Sequence, residues 1–285
     1  MYPGAFLQTT PDKPAVIMAG SGFTQTFAEL DAAANRVSHL LRAAGVRPGD
    51  HVAICMENHD RYFEITWGCY YAGAVYTNCS SRLTHSELAY ILNDSGAKVF
   101  FTSKYKAEQA AEVLAETPNV QLRLMLDGTI PGYESYEAAV AAQPATPLPE
   151  ERVAGSDMLY SSGTTGKPKG VAQPFVEKPL ETTLTGVGGL FSLLFNGNSE
   201  TVYLSPAPLY HAAPLRFCIA AHQVGATVIA MEHFDPELYL STIEQYGATH
   251  SQVVPTMFVR LLKLPAEVRA KYDVSSLQYV IHAAA

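Results

Sequence analysis

Short apolar runs alternate with amphipathic segments along the whole chain, and no other feature restricts its fold as much. A strand, a helix and a second strand in succession call for a parallel sheet with helical crossovers, because a tight hairpin joins only antiparallel neighbours. Pro14–Met18 and residues 23–26 read as strands around the turn Gly20-Ser21-Gly22. Residues 27–44 then read as a helix, since Leu30, Ala34, Val37, Leu40 and Leu41 recur at helical spacing and Gly45 ends the pattern. Thr26 is placed to cap it, with Glu29 as the reciprocal partner of a capping box.

The alternation continues to the end of the chain. His51–Cys55 reads as a buried strand, residues 61–72 as a helix, and Thr84-His85-Ser86-Glu87 as a second capping box before a helix ending near Ser95. Strands are expected at 99–102 and Leu122–Leu126, with 106–115 helical between them. Residues 143–150 carry Pro144, Pro147 and Pro149 and read as a surface connection. Residues 177–195 read as mostly helical, with Gly186, Gly188 and Gly189 weakening the middle. Strands at Val202–Ser205, 226–230 and 249–254 then alternate with helices at 215–223, Pro236–Tyr246 and 255–264. The last of these opens on Pro255, whose missing N–H costs nothing in a first turn.

Composition works by exclusion. A chain of 285 residues can form one large or two medium domains. Its formal net charge of −8 argues against a general nucleic-acid partner, so phosphate binding would need a local basic site. No apolar run reaches transmembrane length, and the N-terminus lacks a basic region followed by an apolar one, so a cytoplasmic location is expected. Cys55, Cys69, Cys79 and Cys218 have no CxxC spacing and read as reduced, structural thiols. The nine histidines form no metal-ligand pattern. The aromatic helix carrying Tyr62, Phe63, Trp67, Tyr70 and Tyr71 reads as core packing rather than as a ligand surface.

Residues 160–171, Tyr-Ser-Ser-Gly-Thr-Thr-Gly-Lys-Pro-Lys-Gly-Val, concentrate hydroxyls, glycines and lysines directly after Asp157-Met158-Leu159-Tyr160, the end of a short buried strand. Glycines let backbone N–H groups approach a ligand, and hydroxyls and lysines bind anionic oxygens, so a loop of this kind suits a polyphosphate. It is not the Walker loop, because only Thr164 and Thr165 separate Gly163 from Gly166-Lys167 and Pro168 follows. Nor does it match the dinucleotide pattern G-x-G-x-x-G. On composition alone, a solvated surface loop explains the stretch equally well.

Residue order goes further. Ser-Ser-Gly-Thr-Thr-Gly-Lys-Pro-Lys-Gly at 161–170 resembles the phosphate-loop signature of the adenylate-forming (AMP-binding) superfamily. That superfamily includes acyl-CoA synthetases, aryl-CoA ligases, luciferases and the adenylation domains of peptide synthetases. Thr26-Phe27-Ala28-Glu29-Leu30, Gly45-Val46-Arg47-Pro48-Gly49-Asp50-His51-Val52-Ala53 and Leu92-Asn93-Asp94-Ser95-Gly96-Ala97-Lys98 are similar to its N-terminal region. Pro208-Leu209-Tyr210-His211 is similar to its substrate-side motif. The resemblance, to the acyl-CoA synthetase (fatty-acid–CoA ligase) type, implies an α/β N-terminal domain of two packed subdomains, cut before its β-barrel part and C-terminal domain. One subdomain would span about 49–195, the other 1–48 with 196–285.

The resemblance also implies a chemistry. A carboxylate attacks the α-phosphate of ATP to give an acyl-adenylate and pyrophosphate, and the thiol of CoA then displaces AMP. Carried onto this sequence, Ser161, Ser162, Gly163, Thr164, Thr165 and Gly166 would wrap the phosphates, Lys169 would add positive charge, and Ser161 would offer an oxygen to Mg²⁺. Lys167 sits where the family tolerates many residues and is read as solvated. His211 would stand beside the reacting carboxylate, residues 249–256 would wall the acyl pocket, and Ala283, Ala284 and Ala285 the adenine pocket. His233 stands where relatives often place a Lys or Arg near the CoA phosphates. No acidic residue lies between Tyr210 and Phe217, where amino-acid-activating relatives carry an aspartate, which favours an uncharged, fatty or otherwise apolar acid.

Three family features have no counterpart: a Tyr-Gly-x-Thr-Glu segment, a later ribose-binding aspartate, and a C-terminal domain with its catalytic lysine. A chain of this extent is therefore expected not to turn over alone and to need the missing C-terminal region, with self-association left open. An aryl-CoA ligase, a luciferase-like adenylating enzyme and a non-catalytic nucleotide-binding module are the alternatives.

Overall fold

The computed structural model of the chain describes residues 1–161, 168–171 and 174–282, Ser161 by its backbone only. The chain enters through β1 (Pro14–Met18) and β2 (Thr24–Thr26), followed by α1 (Phe27–Ala43) and β3 (His51–Cys55). Then come α2 (Tyr62–Tyr71), β4 (Val75–Asn78), α3 (His85–Asp94), β5 (Val99–Ser103), α4 (Ala107–Val113) and β6 (Leu122–Leu126). A short β7 (Glu134–Ser135) and α5 (Tyr136–Ala141) lead to β8 (Ser156–Ser161) and β9 (Lys169–Val171). The last stretch holds α6 (Gly186–Phe195), β10 (Val202–Ser205), α7 (Ala212–Gln223), β11 (Thr227–Ala230) and α8 (Pro236–Tyr246). It closes with β12 (His250–Val253), α9 (Pro255–Leu262), α10 (Ala266–Arg269) and β13 (Tyr279–His282).

These elements form two compact units, Met1–Leu30 with Asn58–Asp60 and Leu184–Ala285, and Asp31–Glu57 with Arg61–Thr183. The first holds a six-stranded sheet in the order β13-β12-β10-β11-β1-β2, the second a seven-stranded sheet in the order β7-β6-β5-β3-β4-β8-β9. All neighbours are parallel except β1 with β2 and β8 with β9. The α/β architecture anticipated from alternation is thus realised twice.

In the second unit the aromatic helix α2 is buried along its whole length. Its buried Glu64 carboxylate accepts a 2.6 Å hydrogen bond from the Tyr136 hydroxyl, so the charge is not left unpaired. Gly68 lets α1 and α2 meet, since a Cβ there would lie 2.3 Å from Cβ of Val37. Phe100, Met125, Leu88, Ile91, Leu92 and Val113 form the core on one side of the sheet. All four cysteines are unpaired and buried, and burial pushes the Cys55 and Cys218 thiols up to about 12.

In the first unit the two sheet faces carry different chemistry. Leu204, Ile229 and Val253 pack with Tyr239 and Ile243 of α8 and Met257 of α9. On the opposite face, Tyr203 and His250 contact the rings of Phe191 in α6, and Tyr203 stacks on Phe217 of α7.

Both expected capping boxes form. Thr26 N–H donates to Glu29 Oε2 at 2.8 Å while Glu29 N–H donates to Thr26 Oγ1 at 3.2 Å, and Thr84 and Glu87 repeat the exchange. The helix expected over 177–195 begins only at Gly186. The segment before it is drawn into an antiparallel bridge of Val153 with Pro179, where Leu180 N–H donates to Arg152 O and Ala154 N–H to Lys178 O. Thr185 caps α6, and its hydroxyl and N–H both donate to Gln223 Oε1. Gly188 does not weaken a helix centre. It lies in the first turn, where a Cβ would sit 2.6 Å from that same Gln223 oxygen.

His222 of α7 is fully buried, and its Nε2–H donates to Ala15 O of β1 at 3.0 Å. Burial lowers its pKa to about 4, with the Ala15 bond acting the other way. Above its ordinary value of 6.5 the ring is neutral folded or unfolded. As pH falls below 6.5, the unfolded chain takes up a proton that the native ring refuses until about pH 4. Stability should therefore drop across that window by on the order of 3 kcal/mol from this group. Urea unfolding followed against pH should show a steeper fall for the wild type than for His222→Gln; parallel curves would contradict the assignment.

Candidate active site

Strands β8 and β9 flank the segment expected to bind phosphate. β8 runs parallel to β4, with Val75 opposite Ser156 and Thr77 opposite Met158, and ends at Ser161. β9 returns antiparallel, pairing Leu159 with Val171, Tyr160 with Gly170 and Ser161 with Lys169. Opposed residues of an antiparallel pair lie about 5 Å apart at Cα. Ser161 and the exposed Lys169 are therefore brought side by side. Ser162, Gly163, Thr164, Thr165 and Gly166, all expected to belong to the site, and Lys167, expected to be solvated, lie outside the described residues, as does the Ser161 side chain.

Three contacts hold these strands. The Tyr160 hydroxyl donates to Asp94 Oδ2 at 2.6 Å, tying β8 to the end of α3; burial, then that bond and the Asp94 charge, raise the Tyr160 pKa far above its ordinary value. Gly170 has no side chain to oppose the Tyr160 ring, since a Cβ would lie 2.4 Å from Met158 Cε and 3.1 Å from Tyr160 Cζ. At the other end of β8, a Cβ on Gly155 would sit 2.5 Å from Ala74 O, and the Gly155 N–H donates to Tyr70 O at 2.8 Å. The start of β8 is thus fixed by close backbone approach and its finish by side-chain contacts.

In the other unit, His211 follows β10 and occupies the capping position of α7, with extended backbone angles and an exposed side chain. Its N–H donates to Pro208 O at 3.1 Å, and its ring lies 4.6 Å from that of Tyr210. The first-turn amides of α7 give this end a partial positive charge, which favours an anion such as a carboxylate.

Asn58, which sequence reading passed over, holds this segment in place. It is buried; its Nδ2 donates to Ala207 O at 3.1 Å and Met231 O at 2.7 Å, and its Oδ1 accepts from Leu209 N–H at 2.7 Å. One amide therefore clamps the chain just beyond the carboxyl ends of β10 and β11. A polar residue after a buried strand looks like any loop asparagine in sequence; only its distant partners distinguish it.

The remaining candidates separate. His250 and Gln252 of the expected pocket wall are buried on β12, while Ala283, Ala284 and Ala285 lie outside the described residues. Beside His233, the ring of Phe234 carries the Arg260 guanidinium 4.8 Å above it, so α9 brings a cation to the neighbourhood where the sequence has a histidine. Among the described residues, no group of three His, Cys, Asp or Glu side chains is placed to hold a metal ion.

Asn58→Ala would orphan one buried N–H and leave two carbonyls with fewer donors, costing about 1–3 kcal/mol for each group left unsatisfied. A fall in unfolding free energy of that order is expected, with Asn58→Asp no better because it sets a carboxylate against two carbonyl oxygens. An unchanged denaturation midpoint in both variants would show that the clamp carries no stability.

The chain is 34% identical to a feruloyl-CoA synthase of Amycolatopsis sp. over 98% of its own length and 53% of that protein. It is 28% identical to the long-chain-fatty-acid–CoA ligase FadD13 of Mycobacterium tuberculosis, over 95% of its length and 52% of the ligase. The chain thus spans about half the length of the curated relatives it matches. Among solved structures, the inhibitor-bound N-terminal domain of FACL13 from Mycobacterium tuberculosis superposes with a TM-score of 0.85 at 25% identity, covering 99% of this chain and 69% of that one. The family model described as AMP-binding enzyme matches residues 5–285, and the chain belongs to that family.

Proposed function

We propose that the protein to which this chain belongs activates a carboxylic acid with ATP and passes the acyl group to CoA. A carboxylate oxygen attacks the α-phosphorus, pyrophosphate leaves, and the CoA sulfur then attacks the acyl carbonyl as AMP departs. The observation that carries this reading is the loop 161–169, whose residue order matches the adenylate-forming signature and whose ends are closed by the Ser161–Lys169 pair at the end of a parallel strand. Ligands of open α/β sheets gather at such carboxyl ends.

In this reading Lys169 neutralises phosphate charge, so that two anions can approach, and the loop hydroxyls and amides hold the phosphates. Ser161 is the residue proposed to offer Mg²⁺ an oxygen; its backbone ends β8 opposite Lys169. His211, at the electropositive start of α7, orients the carboxylate. The lack of an acidic residue between Tyr210 and Phe217 supports an acid without an ammonium group.

ATP–pyrophosphate exchange by the protein at its full coded length, driven by a panel of uncharged acids, tests the proposal. Lys169→Ala should lower exchange about 10²-fold, the scale of removing one charge-stabilising group. His211→Ala should raise the apparent KM for the acid more than that for ATP. Exchange that no acid stimulates, or that both variants leave intact while folded, would defeat the reading.

A further inference from the structure

On the neighbouring strands β10 and β12 of the six-stranded sheet, the Tyr203 hydroxyl and Gln252 Oε1 have no hydrogen-bond partner among the described residues. Tyr203 is fully buried on β10, and Gln252 is 1% exposed on β12. The Gln252 amide nitrogen makes a single long bond, 3.4 Å, to the carbonyl of its own neighbour Val253. Nearly the whole hydrogen-bonding capacity of this side chain is thus unused in a place that water does not reach from outside.

Register locates the pair. Side chains alternate along a strand, so Gln252 shares a face with His250. His250 marks that face: its Nε2 meets Phe195 O of α6 at 2.6 Å, and its ring stacks on Tyr279. Tyr203 stands opposite His250 in the β10–β12 register and stacks on Phe217 of α7. Both orphaned atoms therefore lie under the α6–α7 layer, with Gln252 nearer the carboxyl end of its strand, the end from which His211 and α7 follow β10. On β13, Gln252 is flanked by the apolar Ile281. That neighbour has no donor to offer.

A buried carbonyl oxygen with no donor costs about 1–3 kcal/mol, a cost that leucine or methionine at 252 would avoid. Buried polar groups are otherwise almost always paired, so the donor to Gln252 is to be sought in a molecule the protein binds. On this face the rings around Tyr203 and His250, those of Phe191, Phe195, Phe217 and Tyr279, offer flat aromatic surface rather than a channel of aliphatic side chains. We propose that Gln252 is a specificity residue of the acid pocket, its amide oxygen accepting the hydroxyl of a hydroxylated aromatic acid and Tyr203 completing the contact. The inference rests on the acid-activating reading above and narrows it from uncharged acids in general to this class.

The test is exchange by the full-length protein with three probes: 4-hydroxycinnamate, cinnamate, which lacks only the hydroxyl, and a saturated fatty acid. The wild type should favour 4-hydroxycinnamate over cinnamate by about tenfold or more in kcat/KM, the value of one well-made buried hydrogen bond. Gln252→Met and Gln252→Leu should bring that ratio close to one, and Tyr203→Phe, which removes a single unpaired hydroxyl, should lower it without unfolding the protein. A wild type that prefers the fatty acid, or variants that keep the full preference because a buried water alone satisfies the amide, would overturn the inference while leaving acid activation standing. Exchange with none of the three probes or any other acid would instead defeat the parent reading, and this inference with it.

Discussion

Parallel strands cannot turn straight back on themselves, and most of what is seen here follows from that. Each parallel neighbour must be reached by a crossover, so helices cover the sheets and strands such as β5 and β11 are buried along their whole length. The same rule sends the segments that leave the strands out at their carboxyl ends. Residues 161–169 leave β8 there, and Pro208-Leu209-Tyr210-His211 leave β10 there. The chemistry proposed for this chain is placed by topology before any single side chain contributes.

The exceptions to parallel pairing are informative for the same reason. β9 runs antiparallel to β8, which brings Lys169 back beside Ser161 and fixes a lysine at the mouth of a loop rich in hydroxyls and glycines. Gly170 and Tyr160 make this return possible: one lacks a side chain where the other's ring crosses. A loop of the same composition without that closure would have no reason to hold a cation in a set position.

What could be read from sequence was what depends on near neighbours along the chain. The capping boxes at Thr26 and Thr84 satisfy themselves within four residues, and the α8 boundaries follow from Asp235 and Gly247, one capping the helix and the other adopting the left-handed turn that ends it. The family was legible because the residue order of 161–170, not its composition, carried the resemblance. What escaped notice depends on distant partners. Residues 177–185 have no strand signal of their own and are kept out of the helix where Val153 pairs with Pro179 and the chain then turns, Thr183 N–H donating to Pro179 O. Asn58 looks like a loop residue until Ala207, Leu209 and Met231 are seen around it, and Gln252 looks like one polar residue in a strand until its register places it under α6 and α7. The fatty-acid expectation came with the resemblance to acyl-CoA synthetases, the absence of an acidic residue near His211 favouring only an uncharged acid; the hydroxylated aromatic acid proposed above rests on Gln252, for which sequence offered no signal.

The central claim is that the loop closed by Ser161 and Lys169 grips the phosphates of ATP. A crystal structure of the full-length protein with a non-hydrolysable ATP analogue tests this most directly. The account predicts phosphate oxygens within hydrogen-bond distance of the amides and hydroxyls of residues 161–166, with the Lys169 ammonium on the same side of the loop. Clear nucleotide density elsewhere in the molecule, with this loop making no phosphate contact, would contradict it.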